Sequence, residues 1–543
     1  MDNAHIAKAP LEVTYLFIDR LEKEDLCALR LTCRYFNDCV VQSLYKRLVV
    51  KPEHSLTDLK NLGDKIGQYV KTIEFFPETS SELQKPGDDV EFKPIPYLET
   101  PNFQQLSGLH LHGHEPGMRD LTVKILERQS IKELTLNFKQ IYFLPSHCGT
   151  GLEMQKSLEK LSIRLGRKKQ HWLASRDDEW NYDAVVPVWD MITANSSTLK
   201  TLNLEFPFQF FHSVGGIHVQ PSHEPDTSDL FLTGSEPWKN QLQLQDLKLQ
   251  HLEKFGEVYA KTKFFNPETL RSLSLVDCPN SDSVLLELAG SMRNLKALQL
   301  RGSIKDPKTI YSLLLRLPAL ETLHIALPFD LEFDYKWLNS QKHSVKNLWI
   351  EALDSKEKDN DNFEDWKNLE ELAFTKFHAT TGRRSGALCL KTLKIPASTR
   401  IVRLLHPPGG THRYFDWGQA TKVIEFLGFR QFRMMSAEYP KTPEGRRKRM
   451  YIKPNLQILA FGSWHDSTSI HDRTKVLKVG FEHTERLGKF KCAFKRIPMG
   501  EFARGHPDTT ILAYGEARGP GAWLGHPFTD EMTFSDDADG EEL

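Results

Sequence analysis

The sequence predicts an α/β solenoid: a small helical element at the N-terminus, then stacked strand-and-helix units that share a parallel sheet. Two observations carry that expectation. An apolar triplet of the form LxxLxL recurs along most of the chain, and between positions 244 and 369 its starts step by 26, 25, 25, 25 and 24 residues. Ahead of the first triplet, residues 10–45 place apolar side chains at three- and four-residue steps between charged breaks, the spacing of short amphipathic helices.

The N-terminal stretch reads PLEVTYLFIDRLEKEDLCALRLTCRYFNDCVVQSLY. Val13, Leu16, Phe17 and Leu21 form one apolar run, Leu26, Leu29, Leu31 and Cys33 a second, and Phe36, Val40 and Leu44 a third. Pro10 suits a first helical turn, where a missing N–H is no loss, and Asp25 stands before the second run as a cap. So short a segment buries too little surface to be stable alone. Its apolar side chains therefore want a partner, either an outside protein or the rest of the same chain.

The order Pro10-Leu11-Glu12-Val13, Leu16, Ile18, Leu21, Asp25-Leu26, Leu29-Arg30-Leu31, Cys33-Arg34, Phe36-Asn37 and Leu44-Tyr45 closely resembles an F-box, with Ala9 where that family usually has Leu. The resemblance implies a domain over residues 1–50 that binds the small Skp adaptor and, through it, a cullin ubiquitin ligase. It implies adaptor contacts at Pro10, Leu11, Val13, Leu16, Phe17, Leu26, Leu29, Arg30, Cys33 and Phe36.

The triplets start at Val70, Leu106, Ile131, Leu158, Leu199, Leu244, Leu270, Leu295, Leu320, Val345, Leu369, Leu390 and Leu456. Segments between them, SDSVLLELAGSMRN and DPKTIYSLLLRLPA, show helical spacing. One such unit cannot bury its own apolar face, so neighbours must stack. The period, inside the ~20–29 residues of leucine-rich repeats, resembles that family. Joined to the N-terminal stretch, it resembles fungal-type F-box proteins whose repeats form an irregular horseshoe.

The expected organisation is a linker and first irregular repeat at 51–105 and repeats over 106–395 with insertions at 165–198 and 205–243. An inserted loop at 396–455, terminal repeats at 456–518 and an acidic disordered tail at 519–543 complete it. In the 396–455 loop, HPPGGTHRYFDWGQ carries breakers, and Arg446-Arg447-Lys448-Arg449 is a basic run that suits nuclear import, phosphate contact or plain solvation.

A formal net charge of −1 lacks the basic footprint of a nucleic-acid binder. No stretch reaches the roughly 18 apolar residues of a membrane span, so the expected location is cytoplasm, nucleus or both. Seven cysteines, odd in number and never spaced as CxxC, read as reduced and structural. Hydrolase, kinase, metalloprotease and dinucleotide motifs are missing, so neither catalysis nor a cofactor is expected.

Residues alternating with the triplet leucines should line the opposite sheet face. There Arg301, His324 and Trp349 are the candidate target contacts, because a large aromatic on an exposed face suits an interface anchor. An insertion folded over that face would bury Trp349 instead, and the Phe-rich 205–243 insertion is a rival site. His110, His112 and His114 could join a zinc site only with ligands the sequence does not place, so solvated or hydrogen-bonded histidines are expected and no metal.

The reading that joins these expectations is a substrate-recognition subunit of a Skp/cullin/F-box ubiquitin ligase. Its alternatives are a Skp-bound scaffold without a ubiquitination role and, more remotely, a nucleic-acid binder.

Overall fold

A computed structural model of the chain describes residues 23–50, 66–75, 105–111, 130–137, 157–164, 186–206, 241–252, 254–327, 332–351, 365–375, 398–405, 455–461, 475–484 and 489–497, with a few isolated positions besides. It falls into two compact units, residues 1–284 and 285–543.

The first unit opens on helices Lys23–Arg30 and Arg34–Tyr45. A tight turn separates them: the Leu31 and Thr32 amides donate to the Ala28 and Leu29 carbonyls, and the Thr32 hydroxyl donates to the Leu29 carbonyl at 2.7 Å. Ile18, Leu26, Cys39 and Val40 form a small core, with Leu21, Leu29, Tyr35 and Leu44 packed at its margin.

Directly after the second helix the chain becomes strand Arg47–Val50, which pairs in parallel with Thr72–Phe75. The Lys46 carbonyl accepts from the amides of both Lys71 and Thr72, at 2.9 and 3.0 Å. Only Lys46 lies between the second helix and this first strand of the ladder.

Six more parallel strands follow in chain order: Gly108–Leu111, Glu133–Asn137, Lys160–Arg164, Thr201–Glu205, Asp246–Gln250 and Ser272–Val276. The register superposes the middle triplet residue of each, Ile73, Leu109, Leu134, Leu161, Leu202, Leu247 and Leu273, and all are buried. Burying each such side chain stabilises by about 1.5–3 kcal/mol, and only the stacked neighbour makes that possible.

The segments read as insertions leave the pairing continuous, because strand 160–164 bonds directly to 201–205, and 201–205 to 246–250. Part of the first is the repeat's own helix, Val186–Ala194, with Val188, Met191 and Ile192 buried. At its end the buried Asn195 accepts the Leu158 amide at 2.8 Å and donates to the Met191 carbonyl at 2.8 Å, tying helix to strand.

The second unit repeats the arrangement with parallel strands Ala297–Arg301, Thr322–Ala326, Asn347–Glu351, Glu371–Thr375, Ile401–Leu405 and Ile458–Phe461. Helix Lys308–Arg316 and the 3-10 helix Tyr335–Gln341 pack together. Gln341 does there what Asn195 does earlier, accepting the Leu320 amide at 2.9 Å and donating to the Leu314 carbonyl at 2.9 Å. Gly302 turns the chain off its strand at φ 58°, a left-handed conformation that costs glycine nothing. Two antiparallel strands, Lys475–Thr484 and Lys489–Ile497, end the sheet.

Strand Ile401–Leu405 corrects the sequence reading, which placed these residues in an inserted loop. The expected triplet at Leu390, Leu393 and Ile395 lies outside the described residues, and strand 401–405 holds the place between 371–375 and 458–461. It escaped notice because Thr399 occupies the position of the first leucine. Thr399 is nonetheless fully buried, its hydroxyl satisfied by the Leu369 carbonyl at 3.1 Å. The basic run at 446–449 and the residues after 497 lie outside the described residues.

Candidate functional site

The two N-terminal helices turn a defined set of residues outward. Of the expected adaptor contacts, Leu26 and Phe36 face inward at 8% exposure, Leu29 is half-buried, and Arg30 and Cys33 are exposed. Pro10, Leu11, Val13, Leu16 and Phe17 lie outside the described residues. Leu26 and Phe36 are thus corrected: each fills the domain's own interior, Leu26 against Ile18, Cys39 and Val40, and Phe36 edge-on to Tyr35 at 5.4 Å.

Arg30 is exposed yet engaged within the chain. Its Nε donates to Asn37 Oδ1 at 2.9 Å and its Nη1 to the Tyr45 hydroxyl at 3.3 Å, which pins the first helix to the second. Leu31, by contrast, is 85% exposed, with Cys27, Ala28, Thr32 and Cys33 exposed around it. The signal for Leu31 was present in the run Leu29-Arg30-Leu31: residues two apart do not share a helix face, so one of those leucines has to leave the core.

Residues 9–51 match the protein-family model described as F-box-like, a span that covers both helices and the first strand. The chain carries an F-box-like domain. A search of curated proteins finds no match to the chain. The outward stretch from Cys27 to Arg34 is therefore a surface of the F-box-like domain, and the domain's last strand is hydrogen-bonded into the ladder.

The ladder supplies a second candidate surface, on the face opposite the triplet leucines. In the first unit this face is polar and partly open: Glu133, Lys160 and Arg164 are exposed, while His110, Thr135, Ser162, Asn203 and Lys248 are half-buried. Its charges are largely matched across strands. Arg164 meets Glu205 at 2.8 Å, Lys160 approaches Glu133 at 3.8 Å, and Arg47 pairs with Glu74. His110 Nδ1 shares a hydrogen bond with Thr135 Oγ1 at 2.7 Å; His112 and His114 lie outside the described residues.

In the second unit the corresponding side chains are interior. His324, Trp349, Ala373, Arg403 and Ala460 form one row across five strands, and none exceeds 5% exposure. Small Ala373 leaves room for the Trp349 indole to meet the Arg403 guanidinium, 5.0 Å from the ring centroid. His324 stacks on the other side of Trp349, rings 5.9 Å apart. Burial drives the His324 imidazole down to about 3, so it is neutral at physiological pH. Glu351 and Glu371 are buried on the same face.

The expectation that His324 and Trp349 stand open to a target is thereby corrected: both are interior, and of the three only Arg301 is part-exposed. Sequence reasoning missed Arg403, the partner of Trp349, because it lay in a segment read as loop.

Among the described residues no group of His, Cys, Asp or Glu could hold a metal, and no helix is long and apolar enough to cross a membrane. Buried Cys278 has its thiol pushed up to about 12 by desolvation and lies 3.5 Å from the Leu249 and Val276 carbonyls, a packed thiol with no nucleophilic character.

Proposed function

We propose that this chain is the substrate-recognition subunit of a Skp/cullin/F-box ubiquitin ligase, acting in the cytoplasm, the nucleus or both. The observation that carries the reading is an F-box-like domain whose final strand, Arg47–Val50, is the first rung of a parallel ladder. An adaptor held by the helices and a protein target held by the ladder would keep a fixed separation, which suits delivery of that target to a ubiquitin carrier.

The ladder reads as an irregular leucine-rich-repeat solenoid, supported by its period and by the buried triplets of strands such as Leu109, Leu161, Leu202, Leu273, Leu298 and Leu348. The chemistry of ubiquitin transfer belongs to other subunits in this reading, and this chain contributes geometry alone.

Leu31→Asp tests the docking half. Leu31 is 85% exposed, so the substitution leaves the folded core intact while placing a charge in the expected apolar contact. Skp pull-down should fall to background with circular dichroism unchanged, and undiminished pull-down would refute the docking surface. Cullin should copurify with the wild-type complex. Skp recovered without cullin would return the scaffold reading instead.

A further inference from the structure

In the first unit the residues that stand just before each strand line the N-terminal edge of the sheet, one to a rung. Their backbone bonds make the row continuous. The Lys46 carbonyl accepts the amides of Lys71 and Thr72, and the carbonyls of Lys71, Ser107, Lys132, Glu159 and Lys200 repeat the pattern until that of Gln245 accepts Arg271 and Ser272. Successive members therefore lie about 4.8 Å apart.

Lys46, Lys71, Lys132, Lys200 and Arg271 are exposed, whereas Ser107, Glu159 and Gln245 are half-buried. Every fully exposed member of the row is thus a cation. The one carboxylate, Glu159, takes a single bond from Lys132 at 3.0 Å and another from Lys200 at 2.8 Å, which leaves each ammonium further donors. Among the described residues Lys46, Lys71 and Arg271 enter no ion pair. The acids one position further along the strands are already engaged: Glu133 by His110 and Lys160 at 3.9 and 3.8 Å, and Asp246 by the Thr201 hydroxyl at 3.1 Å. The edge therefore carries a surplus of positive charge in a chain whose formal net charge is −1.

Spacing selects the partner. Lys71, Lys132, Lys200 and Arg271 occupy every second rung, about 9–10 Å apart. A chain in the polyproline II conformation has three residues per turn and rises about 3.1 Å per residue, so every third side chain returns to the same side about 9.3 Å on. A nucleic-acid duplex, with one charge per about 1.7 Å of axis, far outnumbers so sparse a row. We propose that this edge binds an extended, polyproline II-like stretch of the protein target with a carboxylate at every third residue. The inference rests on the receptor reading above and names the chemistry its target must show.

The test uses the full-length chain and two synthetic peptides of one composition: repeats of Glu-Pro-Pro, which hold that conformation, and an isomer with all its glutamates consecutive. Fluorescence anisotropy at low salt should show the repeat peptide bound several-fold more tightly than the isomer. Lys71→Glu and Arg271→Glu should each weaken its binding roughly three- to fivefold, the scale of one exposed ion pair lost, and the double variant about tenfold. Lys254→Glu, the same change of charge beyond the C-terminal end of strand 246–250, should bind it as the wild type does.

The three substituted side chains are exposed, so melting temperatures should stay at the wild-type value. Lys71→Gln and Arg271→Gln, which remove charge without reversing it, carry the test where a reversal unfolds the chain. No binding of the repeat peptide, equal binding of its isomer, an equal loss in Lys254→Glu, or tighter binding of an oligonucleotide through the same edge residues would each overturn the proposal. Skp capture by the same variants is scored separately: its failure strikes the F-box reading, whereas peptide binding is measured on the chain alone.

Discussion

Midway along the strands, the residues that alternate with the triplet leucines differ between the two units, although Glu74 and Ser274 in the first are also buried. In the first they are Thr135, Ser162, Asn203 and Lys248, polar and half-buried; in the second they are His324, Trp349, Ala373 and Arg403, sealed to 5% exposure or less. The same backbone period supports both. What a repeat of this kind dictates is which side chains alternate, while side-chain size and charge decide whether the second face stays wet. A tryptophan found by period is therefore no sign of an interface until its neighbours are known.

The sharpest way to break this comparison is to truncate one residue from each face. Trp349→Ala should cost roughly 3–5 kcal/mol, the scale for deleting a large buried aromatic, and Ser162→Ala should stay within about 0.5 kcal/mol, as for a surface change. Denaturant unfolding measures both, and similar losses would mean that the two faces are not different in kind. Loss of a target on Trp349→Ala would report unfolding, so that variant cannot map the docking surface.

The leucine sides, in contrast, should behave alike. Leu161 and Leu298 are both buried to 1% or less, and Leu→Ala at either should cost about 2–5 kcal/mol. A much smaller loss at one of them would show that its unit is loosely packed.

Acid should distinguish the second unit. The folded imidazole of His324 is held down to about 3, against about 6.5 in an unfolded chain. Between those values the unfolded state binds the extra proton, so stability falls as pH drops below about 6.5 and keeps falling toward 3. Acid titration of urea midpoints should show this slope, and His324→Phe should flatten it. Ser162 and Asn203, the first unit's counterparts in the middle of the sheet, carry no titrating group.

Much of this was legible from spacing alone. Each triplet within the described residues coincides with a strand whose leucines are buried, because hydrophobic period is a local property that stacking simply realises. What spacing could not give was the content of the other face. Thr399 in a leucine position hid strand 401–405, and with it Arg403; without Arg403, nothing said that Trp349 had a partner inside the chain. In the F-box-like domain the apolar pattern placed the helices, but which of Leu26, Leu29, Leu31 and Phe36 turn outward depended on how the two helices cross.

The smallest expected effect concerns a motif that occurs once in each unit, a carboxylate between two lysines on neighbouring strands. Glu159 bonds Lys132 at 3.0 Å and Lys200 at 2.8 Å, and Glu321 bonds Lys296 and Lys346, both at 2.9 Å. The hydrogen bonds from Lys296 and then Lys346 hold the Glu321 carboxyl below its usual range. A lowered folded value means stability that is present above the unfolded pKa and lost as pH falls through the folded one. Yet the Glu321 side chain is 40% exposed, and water screens much of the attraction. Glu321→Gln should therefore cost only about 0.2–1 kcal/mol at low salt. In 1 M salt, where the screening length shrinks to about 3 Å, the difference from wild type should close. A loss that persisted undiminished in salt would mean that Glu321 holds the strand register through hydrogen bonds that charge does not govern, and the motif would then be structural in the sense that Asn195 and Gln341 are.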